Sequence, residues 1–288
     1  MGGPMAANVV KAGHEVLAYD ADPVRLAEFV AESGASAAES LEQLGSCEMV
    51  VAMLPTGPVV REVLLSAEDG GFTRNPHPDL MVIDMSSSEP VGTKELGEEL
   101  AKHGIRLVDA PVSGGMTRAA DGTLAIMLGA DDEADVARVE PILLTMATKI
   151  FRTGPLGSGH AMKALNNYVS AACFAATAEA LLIGERFGLD PSVIVDIMNV
   201  STGKNFQTEV VMKSHVVERQ FATGFKIGLL TKDIRIAADL AGDMGLDTPV
   251  LELIYSRWKT ATEYLGADRD NSEAVLSWDR SRTAVEGR

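Results

Sequence analysis

The chain has 288 residues, 46% of them hydrophobic, 23% charged and 5% aromatic, enough for two domains at roughly 150 residues each. Lys and Arg number 25 against 41 Asp and Glu, a net charge of −16, which repels nucleic acid and anionic lipid and argues against both as partners. Two cysteines, Cys47 and Cys173, are too few for a disulfide framework or a thiolate zinc site and read as small buried apolar residues of a reducing compartment, the cytoplasm.

The opening MGGPMAANVVKAGHEV lacks the basic start and leucine-rich core of an export signal, and it reads as though already inside a helix. Up to residue 152, short runs rich in Val, Ile and Leu at 15–20, 49–54, 80–84, 106–110 and 124–128 alternate with amphipathic stretches at 23–33, 58–65, 90–103 and 133–146. This α/β alternation predicts a doubly wound parallel sheet with helices on both faces. Several of the helices open on proline, which suits a first helical turn.

A glycine-rich hinge, TGPLGSG at 153–159, leads into helical segments at 160–187, 191–200, 208–218, 228–245 and 249–265. The expected organisation is a Rossmann-type domain over 1–153, without its first strand, and an all-helical domain over 154–288. The Ala-rich run from Val169 to Gly184, interrupted by Glu179, is expected to be a core helix rather than a membrane span.

A dinucleotide fingerprint places G-x-G-x-x-G between a strand and a helix, with an acidic residue about 20 positions later. Only its tail stands here. Met1-Gly2 closes the fingerprint, with Gly2 as its third glycine, and Asp20 ends the next strand where a ribose-binding carboxylate belongs. An ordinary turn aspartate before Pro23 is the alternative. Ala21 offers no guanidinium to a 2′-phosphate, which favours NAD over NADP, with Arg25 the nearest residue able to change that. A version extended by about ten residues is expected to restore the glycine turn that seats a pyrophosphate.

The turns MLPTG (53–57) and DMSSSEP (84–90) follow two further strands at the carboxyl edge, where open α/β sheets bind ligands. Plain strand-to-helix turns are the alternative, and Ser88 is expected to cap the helix opening at Pro90. In DAPVSGG (109–115) the residues Ser113, Gly114 and Gly115 would let backbone N–H groups approach a carboxylate, with Arg118 near; a flexible hairpin loop is the alternative.

In GSGHAMKALNN (157–167), Lys163 and Asn167 stand at i and i+4 and project side by side. Set among Met162, Ala164 and Leu165, the lysine is expected to be desolvated between the two halves of the molecule. Desolvation disfavours the ammonium and suits proton exchange near neutral pH; a lysine snorkelling from an exposed edge is the alternative. Lys232 in LLTKD reaches back toward a cleft or pairs with Asp233 at the surface. The five histidines lack metal-ligand spacing, so no metal and no catalytic histidine is expected.

Taken in order, GGPMAANVVKAGHEV, AYDADP, VVAMLPTG, IDMSSSEP, DAPVSGG, GxGxxxKxxNN and LLTKD resemble the β-hydroxyacid dehydrogenase family, which includes 3-hydroxyisobutyrate dehydrogenases and tartronate semialdehyde reductases and is 6-phosphogluconate dehydrogenase-like. The resemblance spans nearly the whole chain. It implies hydride transfer between a short β-hydroxyacid and NAD, with Lys163 as general acid/base. Asn167 would hydrogen-bond the substrate with help from Asn166, while Ser113, Gly114 and Gly115 hold its carboxylate. On the cofactor it implies Met1, Gly2 and Asp20, the backbone of Leu54 and Pro55, Ser87 beside the nicotinamide, and Lys232 closing over it. It further implies a homodimer or homotetramer through the helical domain.

Two departures stand out: the absent first strand, and Val59 where family members often carry asparagine. Competing readings are an imine reductase-like enzyme, which usually lacks the lysine, and a non-catalytic dimeric scaffold or cofactor sensor. The loop 199–206 is either a reader of the substrate's substituent or a plain helix connection.

Overall fold

The computed structural model describes residues 1–65 and 72–279, and the chain divides into two units, Met1–Lys163 and Ala164–Arg288. The first unit runs α1 (Gly2–Lys11), β1 (Leu17–Ala18), α2 (Pro23–Ser33), β2 (Ser36–Ala37), α3 (Leu41–Leu44), β3 (Met49–Ala52), α4 (Gly57–Leu65) and β4 (Met81–Asp84). It continues with α5 (Pro90–Ala101), β5 (Arg106–Asp109), β6 (Val112–Ser113), α6 (Gly115–Asp121), β7 (Leu124–Gly129), α7 (Glu133–Leu143) and β8 (Ala147–Gly154).

The main sheet has the order β3-β4-β5-β7-β6, with β8 also on β7. It is mixed rather than wholly parallel. Strands β3, β4 and β5 are parallel, whereas β7 runs antiparallel to β5 and β6 and parallel to β8. Every residue of β4 is buried, which is why its sequence MVID reads as a continuous apolar run. One face packs Met5, Ile83, Val108 and Ile126, the other Val60, Leu64, Val82 and Leu96. Among the described residues, β1 pairs only with β2, in a separate two-stranded sheet. The region expected as strand at 15–20 keeps two strand residues.

Local chemistry sets the helix ends. Asp22 accepts the N–H groups of Val24 and Arg25, Pro23 occupies the first turn, and Gly34 closes α2 at φ 79°, an arrangement that satisfies orphan donors at the start and needs no Cβ at the end. The expected cap at Ser88 does not form. Glu89 is the N-cap of α5 with no side-chain bond, and Ser88 Oγ donates instead to Asp84.

The second unit takes up α8 (Ser158–Phe187), which begins in the first, and adds α9 (Pro191–Asn199), a π-helix (Gln207–Val217), α10 (Ile227–Asp243), α11 (Pro249–Leu265), a short 3₁₀ turn (Asn271–Glu273) and α12 (Ala274–Trp278). Small residues of α8, Ala171, Ala175 and Ala178, are buried beside Phe174. Trp258 is fully buried, donates its indole N–H to the Ala171 carbonyl at 3.2 Å and meets Phe174 and Trp278 at ring separations of 5.4 Å, favourable tilted and edge-on geometry. Helix α8 is long and apolar enough to cross a membrane, and 44% of its most apolar window is buried inside the protein. Cys47 and Cys173 are unpaired and half-buried rather than buried.

Candidate functional site

Helix α1 starts at Met1 with no side-chain cap, so the N–H groups of Gly2 and Gly3 are donors at a positive helix end. Burial, and then the nearby Arg25 guanidinium, hold the Met1 amine below its ordinary pKa. Asp20 is exposed beyond β1; one carboxylate oxygen accepts the Asp22 N–H at 2.8 Å. Uncapped helix donors suit a pyrophosphate and an exposed carboxylate suits a ribose diol, so the residues present fit a dinucleotide. Arg25 pairs with Asp22 at 3.3 Å.

The turn after β3 holds Leu54 and Pro55. Leu54 donates its N–H to Ser86 Oγ at 2.9 Å and Pro55 has none, so this turn presents carbonyl oxygens. Ser87 is half-buried between the buried Ser86 and Ser88. After β5 the chain turns through β6 directly into α6, and Gly114 and Gly115 take φ 140° and 67°, conformations that other L-residues rarely adopt. This is a strand–turn–helix rather than a hairpin loop. Ser113 is half-buried and Gly115 exposed, while Arg118 folds back over Gly114, where a Cβ would lie 2.8 Å from its Cβ and Cδ.

A buried polar cluster, not anticipated from the sequence, holds the start of α8. Asp109 at the end of β5 accepts the N–H groups of Gly157 and His160, each at 2.7 Å, a long-range helix cap. Its oxygens fill the space where Gly129 and Gly159 lack a Cβ. Burial raises the Asp109 pKa, against the lowering pull of His160 and of the two amides. The His160 ring is wholly buried, with Nδ1 2.8 Å from Thr93 Oγ1 and Nε2 3.7 Å from Asp84 Oδ2.

Lys163 stands three residues further along α8 and Asn167 one turn beyond it. Lys163 is half-buried rather than stripped of water, and Met162 and Leu165 are exposed. In the second unit, buried Asn167 donates Nδ2–H to Asp233 Oδ2 at 2.6 Å and accepts from Asn166 at 3.3 Å. A carboxylate only accepts, so the amide nitrogen must face Asp233 and the side chain has one orientation. Lys232 Nζ lies 3.1 Å from Asp233 Oδ1, and its side chain is only 18% exposed; the Lys232–Asp233 pair is therefore not a solvated surface arrangement. Asp233 joins Asn166, Asn167 and Lys232 in one network, a role that its place in the sequence beside Lys232 does not reveal. Among the described residues no group of three or more His, Cys, Asp or Glu could hold a metal.

Comparison with known proteins matches both halves of the chain to family models. Residues 1–154 match the family described as the NAD binding domain of 6-phosphogluconate dehydrogenase. Residues 157–278 match that described as NAD-binding of NADP-dependent 3-hydroxyisobutyrate dehydrogenase. The chain is 36% identical over 256 residues to a 3-hydroxyisobutyrate dehydrogenase of Pseudomonas aeruginosa, covering 87% of this chain and 85% of that one. It is 32% identical to an NAD-dependent L-serine dehydrogenase of the same organism, covering 97% and 95%. Among solved structures, the 3-hydroxyisobutyrate dehydrogenase of Mycobacterium tuberculosis with L-serine superposes with a TM-score of 0.87 at 32% identity, covering 97% and 96%.

Proposed function

The chain belongs to the β-hydroxyacid dehydrogenase family, and from that premise we propose that it oxidises a short β-hydroxyacid of the 3-hydroxyisobutyrate kind, with Lys163 as general acid/base. It is an NAD(P)-dependent 3-hydroxyacid dehydrogenase. NAD, when bound, supplies the hydride-accepting carbon, and the protein supplies placement and proton transfer. Lys163 Nζ takes the hydroxyl proton as the alcohol is oxidised and returns it in the reverse direction. Asn167 steadies the hydroxyl with the amide N–H that Asp233 does not use. The N–H groups around Ser113, Gly114 and Gly115 receive the carboxylate.

The observation that carries this reading is the fixed amide of Asn167 one helical turn from Lys163. The relatives named for 3-hydroxyisobutyrate and L-serine support the substrate class, since both compounds are short acids with a hydroxyl on the β-carbon. NAD over NADP is supported by the Asp20 carboxylate beside Ala21 and by the engagement of Arg25 with Asp22. Met1 and Gly2 at the start of α1, Leu54, Pro55, Ser87 and Lys232 complete the cofactor set we assign.

A homodimer or homotetramer through the helical unit is supported by large apolar side chains exposed there, including Ile183 at 71% and Leu253 at 65%. The cytoplasm as its setting is supported by the two unpaired thiols. The test is reduction of NAD with a panel of short β-hydroxyacids. Lys163→Ala is expected to lower kcat by about 10²–10⁴-fold, the scale of a general acid/base; a rate within a few-fold of wild type removes Lys163 from the mechanism.

A further inference from the structure

The cluster around His160 ties its ring to three elements of the first unit. Thr93 Oγ1 lies 3.0 Å from the Glu89 carbonyl and 2.8 Å from His160 Nδ1, and so links the ring to the backbone of α5. Nε2 is buried without a hydrogen-bond partner, and the polar atom facing it is Asp84 Oδ2 at 3.7 Å. That oxygen already accepts from Ser88 Oγ, and its fellow accepts the Ser86 N–H. Asp109 Oδ2 lies 3.8 Å from the other ring nitrogen. The side chains of His160, Asp84 and Asp109 are 0%, 1% and 0% exposed, so the ring is enclosed by these groups and closed to solvent.

Residues 160, 163 and 167 fall on one face of α8. Three elements, β4 through Asp84, β5 through Asp109 and α5 through Thr93, converge on the residue three positions ahead of Lys163. We propose that His160 is a positioning residue: its buried ring, held by Thr93 and set between Asp84 and Asp109, fixes the rotation of the first turn of α8 and with it the place of Lys163. The inference rests on the reading of Lys163 as the acid/base, and a displacement of about 1 Å in such a group can cost on the order of 10²-fold in rate.

The experiment is a double-mutant cycle on the full chain with NAD and the best substrate of the panel. His160→Gln is expected to lower kcat by about 10–100-fold with both KM values within about twofold of wild type, and to add nothing in a Lys163→Ala background. Because His160→Gln leaves two buried carboxylates without the ring between them, Asp84→Asn/His160→Gln is made beside it and carries the same cycle if the single variant fails to fold.

A Lys163→Ala enzyme that keeps its rate refutes the acid/base reading alone. The positioning role is overturned if Lys163→Ala loses its rate while the histidine variants keep theirs. It is equally overturned by the same loss with and without Lys163, the mark of a general structural effect.

Discussion

Asp109 shows how one buried carboxylate can serve the fold while weakening it at high pH. Burial raises its folded pKa above the ordinary value of 3.8, so between those two values the folded state holds more protons than the unfolded one. Stability from this group is complete below the unfolded pKa and is lost as pH rises through the folded one. Asp109→Asn has no proton to lose there. Urea midpoints measured across pH should show wild-type stability relative to the variant falling as pH rises from about 4, then levelling. A gap that widens with pH would mean that the amides and His160 outweigh burial. Neither Asp109 nor His160 was legible as a cluster: their partners lie 48 and 67 positions away, and a lone histidine beside an apolar run carries no sign of them. The i, i+4 spacing of Lys163 and Asn167 on α8 was legible because it is a matter of helix period.

At the scale of elements, the segments with local signals appeared where expected. Helices α2 and α11 match the expected 23–33 and 249–265 at both ends, since proline, the Asp22 cap and glycine punctuate them. Strand β8 escaped notice because most of its residues are exposed or half-buried, leaving no apolar run. The π-helix at Gln207–Val217 was expected as an ordinary helix, since its looser winding leaves no separate mark in so short a pattern. The entry to α8 is tight: a Cβ on Gly159 would collide with the Met127 carbonyl oxygen and the Asp109 carboxylate. Gly159→Ala is therefore expected to destabilise the first unit by about 1–3 kcal/mol, as overpacking does, with thermal melting as the measurement. Unchanged melting would mean that the helix start shifts freely.

For the whole molecule, a net charge of −16 keeps non-specific association with polyanions low and sets copies of the chain to repel one another, so the assembly proposed above would rest on apolar surface. Replacing Ile183, 71% exposed on α8, with glutamate is expected to shift the sedimentation of the protein from dimer or larger toward monomer at micromolar concentration. A wild type that already sediments as a monomer would refute assembly through this helix. NAD is expected to slow amide exchange at Gly2, Gly3 and the β1 region by mass action on the bound state, read by hydrogen–deuterium exchange with and without cofactor. Equal exchange in both would place the nucleotide elsewhere.

The small sheet of β1 and β2 shares no ladder with β3. The segment from Gly2 to Ala37 is held to the rest of its unit by side chains such as Met5, seated in the core, and Asn8, whose amide reaches the Ala119 carbonyl at 2.8 Å. Such a flap is expected to peel before the main sheet does under mild denaturant. A nucleotide gripping its near edge would then work as a rivet, so that occupancy of the coenzyme sets how long this corner of the enzyme survives proteolysis.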